Sequence, residues 1–201
     1  MQTRSYESLF NLVKSLAGVN DFTTEEDSYI LNFTNRRFKQ AFDAYPFWSR
    51  YLVAGEARTV NTNNIVPFTE TDKTNIGEFL RIHRNQPFDR NSTIEYDFYV
   101  TEDGASLLNV RSGSSDSVYV TYKKEVPLIV FASQIPLEFY YFLAHAVYAD
   151  FLRMDGQNEK ALVEEKVAEE YLNDELGKAS IIANTNIVGK KISTYVNRQS
   201  R

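Results

Sequence analysis

The stretch LEFYYFLAHAVYADFLRM, residues Leu137–Met154, decides the fold of this 201-residue chain. Its apolar side chains fall on nearly every side of the helix that the segment predicts, and such a helix must be covered on most of its sides. Pro136 stands where a helix favours proline, and Asp155 to Asn158 break the pattern after it. The stretch therefore predicts a buried helix that other elements must surround.

Three amphipathic segments predict further helices. Residues 6–18 place apolar side chains on one face and end at a glycine. Thr23 stands three residues before Glu26, which is the spacing of a capping box, and begins a helix that we expect to run to Tyr45. The last predicted helix covers residues 159–176 and is closed by the glycine that follows.

Between the two pairs of helices the hydrophobic period changes to two, which is typical of strands. Residues 94–100 alternate between apolar and polar, and the hairpin signal Asp103-Gly104 lets residues 107–111 pair back. Residues 112–116 form the next turn, into the strand 118–122, so this region predicts a three-stranded meander. Weaker strand candidates are Tyr51 to Val53, Ile65-Val66 and Phe79 to Ile82.

These elements predict an α+β fold: a four-helix bundle of two N-terminal and two C-terminal helices, a β-rich insertion and an extended C-terminal tail. The expected domains are residues 1–48 with 132–177 for the bundle, 49–131 for the insertion, and 178–201 for the extended C-terminal arm.

Charge is concentrated at the C-terminus. Residues 178–201 contain five basic and no acidic residues, whereas the rest of the chain has 17 basic against 27 acidic residues. The arm also carries β-branched and aromatic residues that a plain disordered tail usually lacks. It suits strand addition or groove insertion in a partner protein, with nucleic acid and mere solvation as alternatives. Its candidate contact residues are Ile181, Ile182, Ile187, Val188, Lys190, Lys191, Ile192 and Tyr195.

The last predicted helix has two apolar stripes. One, which includes Leu162, closes the bundle. The other consists of Val163, Val167 and Tyr171, and needs a different partner. Either the β-rich insertion or a second subunit covers it.

The sequence offers little for catalysis. It has no cysteine, two histidines (His83 and His145) and no glycine-rich phosphate loop. Glu164, Glu165, Glu169 and Glu170 lie one turn apart, but neither histidine stands in the Glu-x-x-His relation of a di-iron bundle. A solvated face is the simpler interpretation. His145 is expected to be a hydrogen-bonded core histidine, and His83 to share a basic patch with Arg81.

We therefore expect no enzyme, no catalytic residue, no cofactor and no metal. Nor do we find a secretory signal or an apolar run long enough to span a membrane. A carboxylate-based metal enzyme is the distant alternative.

Three stretches resemble the head-to-tail connector adaptors of tailed bacteriophages, including the tail tubular A type. One is the first helix at Tyr6 to Phe10, followed by the long helix that ends at Tyr45-Pro46-Phe47-Trp48. Another is the strand Val118 to Pro127. The most specific is Ile135-Pro136-Leu137-Glu138-Phe139, then an alanine-containing buried helix and a charged final helix.

The resemblance implies a structural role in the virion for a protein made in the host cytoplasm. Family members assemble as a ring, usually of twelve copies, under the portal protein ring. They extend the channel for double-stranded DNA, without sequence-specific binding, and present a platform to the tail nozzle or next tail component. In several members the C-terminal segment enters the portal, which implies portal docking for the arm residues. Assembly as a ring implies that a second subunit covers the stripe of Val163, Val167 and Tyr171. The alternative is a DNA-binding module that acts through the basic tail.

Overall fold

The computed structural model describes residues 2–86, 94–108 and 117–199, with side chains described as far as Ser180. The chain divides into two compact units, Met1–Tyr45 with Leu128–Arg201, and Pro46–Pro127. The first unit contains β1 (Thr3–Ser5), α1 (Tyr6–Ala17), α2 (Thr24–Asp43), β8 (Gln134–Pro136), α3 (Leu137–Met154) and α4 (Asn158–Gln199). The second contains β2 (Leu52–Thr59), β3 (Ile65–Pro67), β4 (Ile76–His83), β5 (Phe98–Val100), β6 (Gly104–Leu107) and β7 (Ser117–Lys124).

Local signals set the ends of the first two helices. The Gly18 backbone adopts the left-handed conformation, with φ at 69°, and caps α1. At the start of α2, the Thr23 side chain accepts a hydrogen bond from the Glu26 backbone N–H, while the Glu26 carboxylate accepts from the Thr23 N–H at 2.7 Å. The predicted capping box is confirmed.

The predicted four-helix bundle is wrong, because the helices are interleaved with strands. β1 leads into α1 and β8 into α3, and the two strands pair antiparallel. α3 packs against α1, α2 and α4. α3 is apolar on most of its sides, so its apolar surface must be covered by several neighbours. These neighbours include the strands β1 and β8 as well as helices, and α3 therefore lies at the centre of a mixed arrangement.

The core of the first unit lies around α3. Val13 of α1, Ile30 of α2 and Val147 of α3 are fully buried in one cluster. A second cluster joins Ala149 of α3 to Ala161 of α4. The small side chains at these positions let the two helix backbones approach closely.

The second unit consists of two antiparallel sheets, with strand orders β2-β7-β4 and β3-β6-β5. β5 and β6 pair around the Asp103-Gly104 turn, as predicted. At Gly104 a Cβ would lie 2.0 Å from the Val66 carbonyl oxygen, so the turn requires glycine.

The predicted meander is wrong at its third strand. Residues 118–122 belong to β7, which pairs with β2 on one side and β4 on the other. A strand buried within a sheet needs hydrogen-bond partners along both edges, and these two strands lie far before it in the sequence. The expected pairing at residues 109–111 and the turn at 112–116 lie outside the described residues. The weaker candidates fall in or beside β2, β3 and β4.

The predicted extended C-terminal arm is also wrong. α4 continues through Gly177 to Gln199, a helix of 42 residues and about 63 Å. Glycine within a helix costs only about 1 kcal/mol relative to alanine, and no proline follows to stop the helix. The Ser180 hydroxyl donates to the Gly177 carbonyl at 2.9 Å, within this continuous helix.

Candidate subunit and partner surface

A buried ion network fixes α4 to the rest of the first unit. The Asp150 side chain on α3 is 3% exposed and accepts two hydrogen bonds from Arg37 on α2, from Nε at 2.8 Å and from Nη2 at 2.7 Å. Arg36 Nη2 lies 2.6 Å from the same carboxylate. Glu165 on α4 pairs with Arg37 at 3.2 Å and also with Arg153. Charged side chains of α2, α3 and α4 therefore form one connected network of ion pairs.

The network keeps its carboxylates ionised. Burial alone would raise the pKa of Asp150, but hydrogen bonds from Arg37 and Arg36 and their positive charges outweigh it and lower that pKa. The pKa of Glu165 is lowered mainly by its hydrogen bond from Arg153. The position and direction of α4 are therefore held by charge-assisted hydrogen bonds as well as by apolar contacts.

Aromatic rings stack between α3 and α4 beside this network. Tyr171 stacks on Tyr141 with ring centroids 5.4 Å apart, and on His145 at the same separation. His145 Nδ1 lies 2.7 Å from the Glu164 carboxylate, so the expected hydrogen bond is confirmed, but the histidine is half-buried and lies outside the core. Tyr141 and Tyr171 are each 40% exposed, and one side of the stack therefore faces solvent.

Where α3 begins, the two helices leave a cleft with a volume of about 340 Å³. Its lining combines apolar and aromatic residues with a charged rim, and consists of Leu137, Glu138, Tyr141, Phe142, Tyr171, Asp174, Glu175 and Lys178.

The structure leaves most of the predicted subunit stripe uncovered. Val163 is 61% exposed, Val167 is half-buried and Tyr171 packs on α3 with part of its ring exposed. Leu162, which was expected to close the bundle, is also exposed, at 56%. Ala161 takes the inward position, since the close approach of α4 to α3 admits only a small side chain.

The eight predicted docking residues lie on the C-terminal half of α4. Their backbone is helical, and their side chains lie outside the description. The residues concerned are Ile181, Ile182, Ile187, Val188, Lys190, Lys191, Ile192 and Tyr195.

His83 does not share an exposed basic patch with Arg81, contrary to what the sequence predicts. His83 is 7% exposed, whereas the Arg81 side chain is 61% exposed and lies 4.0 Å from Glu95. The pairing of β4 with β7 is regular from Arg81 to His83, so the two residues lie on the same side of the strand, and the difference in exposure comes from the surroundings of each side chain.

The four clustered carboxylates of α4 do not converge. Glu164 bonds to His145 and Glu165 to the arginines, while Glu169 and Glu170 are exposed. In the part of the chain that the structure describes, no three His, Asp or Glu side chains are placed to hold a metal ion.

Sequence reasoning missed an exposed apolar loop before β8. Leu128 is 75% exposed and Phe131 61%, while Ile129 between them is buried. The Asn35 side-chain amide holds the loop, since it donates to the Ile129 carbonyl at 2.9 Å and accepts from the Ile129 N–H at 2.8 Å. The run of five apolar residues after Pro127 was the available signal.

No protein-family model matches this chain, and no curated protein matches its sequence. Among the described residues, no helix is both long and apolar enough to cross a membrane.

Proposed function

We propose that this chain is a structural, non-enzymatic subunit of a bacteriophage head-to-tail connector. Copies assemble as a closed ring under the portal ring, and its size of about twelve is taken from the adaptor family that the sequence resembles. The ring extends the DNA channel and carries the next tail component, so the protein acts in the virion.

One observation carries the subunit part of the proposal. α4 presents Val163, which is 61% exposed, and Tyr171, whose ring packs on α3 but is 40% exposed. Large apolar and aromatic side chains grouped on one exposed helix face are typical of protein–protein contacts. We assign Val163, Val167 and Tyr171 to the contact between neighbouring subunits.

The portal part is supported by the charge and length of α4. Its last 22 residues contain four basic and no acidic residues, together with Ile and Val side chains. We assign portal docking to this half of the helix. In this proposal it docks as a helix in a groove, which replaces the extended arm expected from the sequence.

The channel part is supported by the excess of acidic residues before residue 178. A wall of negative charge repels phosphate, so the duplex slides through without being bound.

Deletion of Lys178 to Arg201 tests the docking assignment. The truncated protein keeps the contacts of the buried Ala161, Ala168 and Leu172 with the rest of the first unit, and should retain the helical circular dichroism of the residues that remain. We expect it to lose cosedimentation with the portal ring, because the docking helix is gone.

A matched pair of substitutions separates docking from simple loss of charge. Lys190→Ala with Lys191→Ala should weaken portal binding, whereas Lys160→Ala with Lys166→Ala, which changes two exposed lysines of the same helix, should not. Full portal binding by the truncated protein would refute the assignment.

A further inference from the structure

The cleft between α3 and α4 has the composition of a site for a positively charged side chain. Phe142, which is 2% exposed, is the buried part of its lining, and the partly exposed Tyr141 and Tyr171 form an aromatic wall. Aromatic faces attract guanidinium and ammonium groups, and arginine stacks on them readily.

The charged residues around the cleft favour the same ligand. On α4, Asp174 and Glu175 contribute two carboxylates, against the single ammonium group of Lys178. Lys178 Nζ already lies 2.5 Å from the Glu175 carboxylate, so this side of the rim keeps an excess of negative charge. A basic segment with apolar neighbours would satisfy both the carboxylates and the aromatic wall.

The two halves of α4 are complementary in charge. Residues 158–177 carry seven acidic and two basic residues, whereas residues 178–199 carry four basic and no acidic ones. Every copy of the protein therefore contains both an acidic aromatic cleft and a basic apolar segment of the kind that the cleft would bind.

We propose that the cleft binds the basic C-terminal half of α4 from a second copy of this chain. The inference rests on the part of the proposed function that makes Tyr171 a subunit contact, and it identifies the segment of the neighbouring copy that Tyr171 contacts. The same segment is assigned above to portal docking, so the contact proposed here describes copies of this chain in the absence of the portal.

The helix geometry requires that the contact form between copies. Asp174 and Lys191 are 17 residues apart on one continuous helix, a separation of about 26 Å. A segment on this helix therefore cannot fold back into the cleft that the same helix lines. Because cleft and segment are different surfaces, the contact is head-to-tail, and repetition produces a ring if the rotation closes.

Disulfide trapping tests the proposal without background, since the chain has no cysteine. Lys178→Cys places a thiol in the cleft lining at an exposed position and keeps the cleft carboxylates, and Ser193→Cys places one in the basic half without removing a charge. A disulfide needs Cα atoms within about 7 Å, and these two lie about 22 Å apart on one helix, so any bond between them joins two copies.

We expect the full-length double variant to form a ladder of disulfide-linked species under mild oxidation. Each single-cysteine variant should give little dimer. Asp174→Lys with Glu175→Lys in the double-cysteine chain should reduce the ladder at least tenfold. The matched control, Glu169→Lys with Glu170→Lys, makes the same change in charge outside the cleft lining and should leave the ladder intact.

Absence of the ladder would overturn the proposal. Single-cysteine dimers as abundant as the ladder would also overturn it, because the contact would then be symmetric. An equal loss of the ladder in the Glu169→Lys with Glu170→Lys control would do so too, because the contact would then depend on charge without being specific to the cleft. Rings that form in the cysteine-free protein without a ladder in the double variant would leave the ring proposal standing and reject this contact. A ladder in a protein that never binds the portal would support this contact and reject the portal-docking proposal.

Discussion

The Asp150 carboxylate, 3% exposed, lies among three guanidinium groups supplied by Arg36, Arg37 and Arg153. Burying an ion pair costs desolvation energy, so the pair itself is weak evidence for stability. Removing one partner has a larger effect, since the remaining charges stay buried without compensation. Asp150 and Arg37 are separated by 113 residues in the chain.

Asp150→Asn is expected to lower the free energy of unfolding at pH 7 by about 3–5 kcal/mol, as breaking buried ion pairs does in general. The sign of the pH effect follows from the lowered pKa of Asp150 in the fold. A carboxyl group with a lowered folded-state pKa stabilises the protein above its unfolded value, and this stabilisation is lost as the pH falls through the folded value. The difference between wild type and Asp150→Asn should therefore shrink as the pH falls below about 4.

Chemical denaturation across this pH range measures the effect. The matched control is Asp43→Asn, whose carboxylate pairs with Lys39 on the surface, with both side chains more than half exposed. Surface pairs contribute at most about 1 kcal/mol. Equal effects of the two substitutions at pH 7 would contradict the buried-network interpretation.

Residue-scale features could be predicted only where their partners are close in sequence. The capping box spans Thr23 to Glu26, so both of its members are visible in one short window. The bonds from Arg37 to Asp150 and to Glu165, and the contact between Asn35 and Ile129, join residues 94 to 128 positions apart. Nothing local marks such residues as partners.

At the scale of elements, the apolar pattern located α3 and the first two helices, but it did not locate the end of α4. The prediction ended that helix at Gly177, where an added Cβ would meet no atom within 4 Å. Glycine therefore has no packing role there, and its propensity penalty is too small to end a helix that nothing else interrupts. The partners of β7 were missed because alternation identifies a strand and leaves its neighbours undetermined.

The exposed stripe of α4 leads to a prediction at this scale. Val167→Glu with Tyr171→Glu is expected to prevent ring formation and leave the monomer folded, since charges desolvated at an apolar interface oppose association. Sedimentation velocity measures the assembly, and circular dichroism the fold.

Because Tyr171 also stacks on α3, Val163→Glu is the cleaner single substitution, and it should weaken assembly in the same direction. Tyr29→Glu, at a comparably exposed tyrosine of α2, is the control and should leave assembly unchanged. Rings of normal size from the double variant would remove the stripe from the subunit interface.

At the scale of the whole molecule, the first unit is packed around one central helix, α3. α3 is covered by elements from the beginning and the end of the chain, with the second unit inserted in sequence between α2 and β8. The sequence pattern predicted a buried helix at Leu137–Met154, but which elements cover it follows from tertiary packing. The bundle prediction failed for that reason: it assigned the covering surface to helices and overlooked β1 and β8, each of only three residues.

The most direct test of the connector proposal is the solution mass, by light scattering, of this chain alone and mixed with the portal ring from the same genome. We predict that the chain joins the portal in about the portal's own number of subunits. A mixture in which the two components keep their separate masses would contradict the proposal.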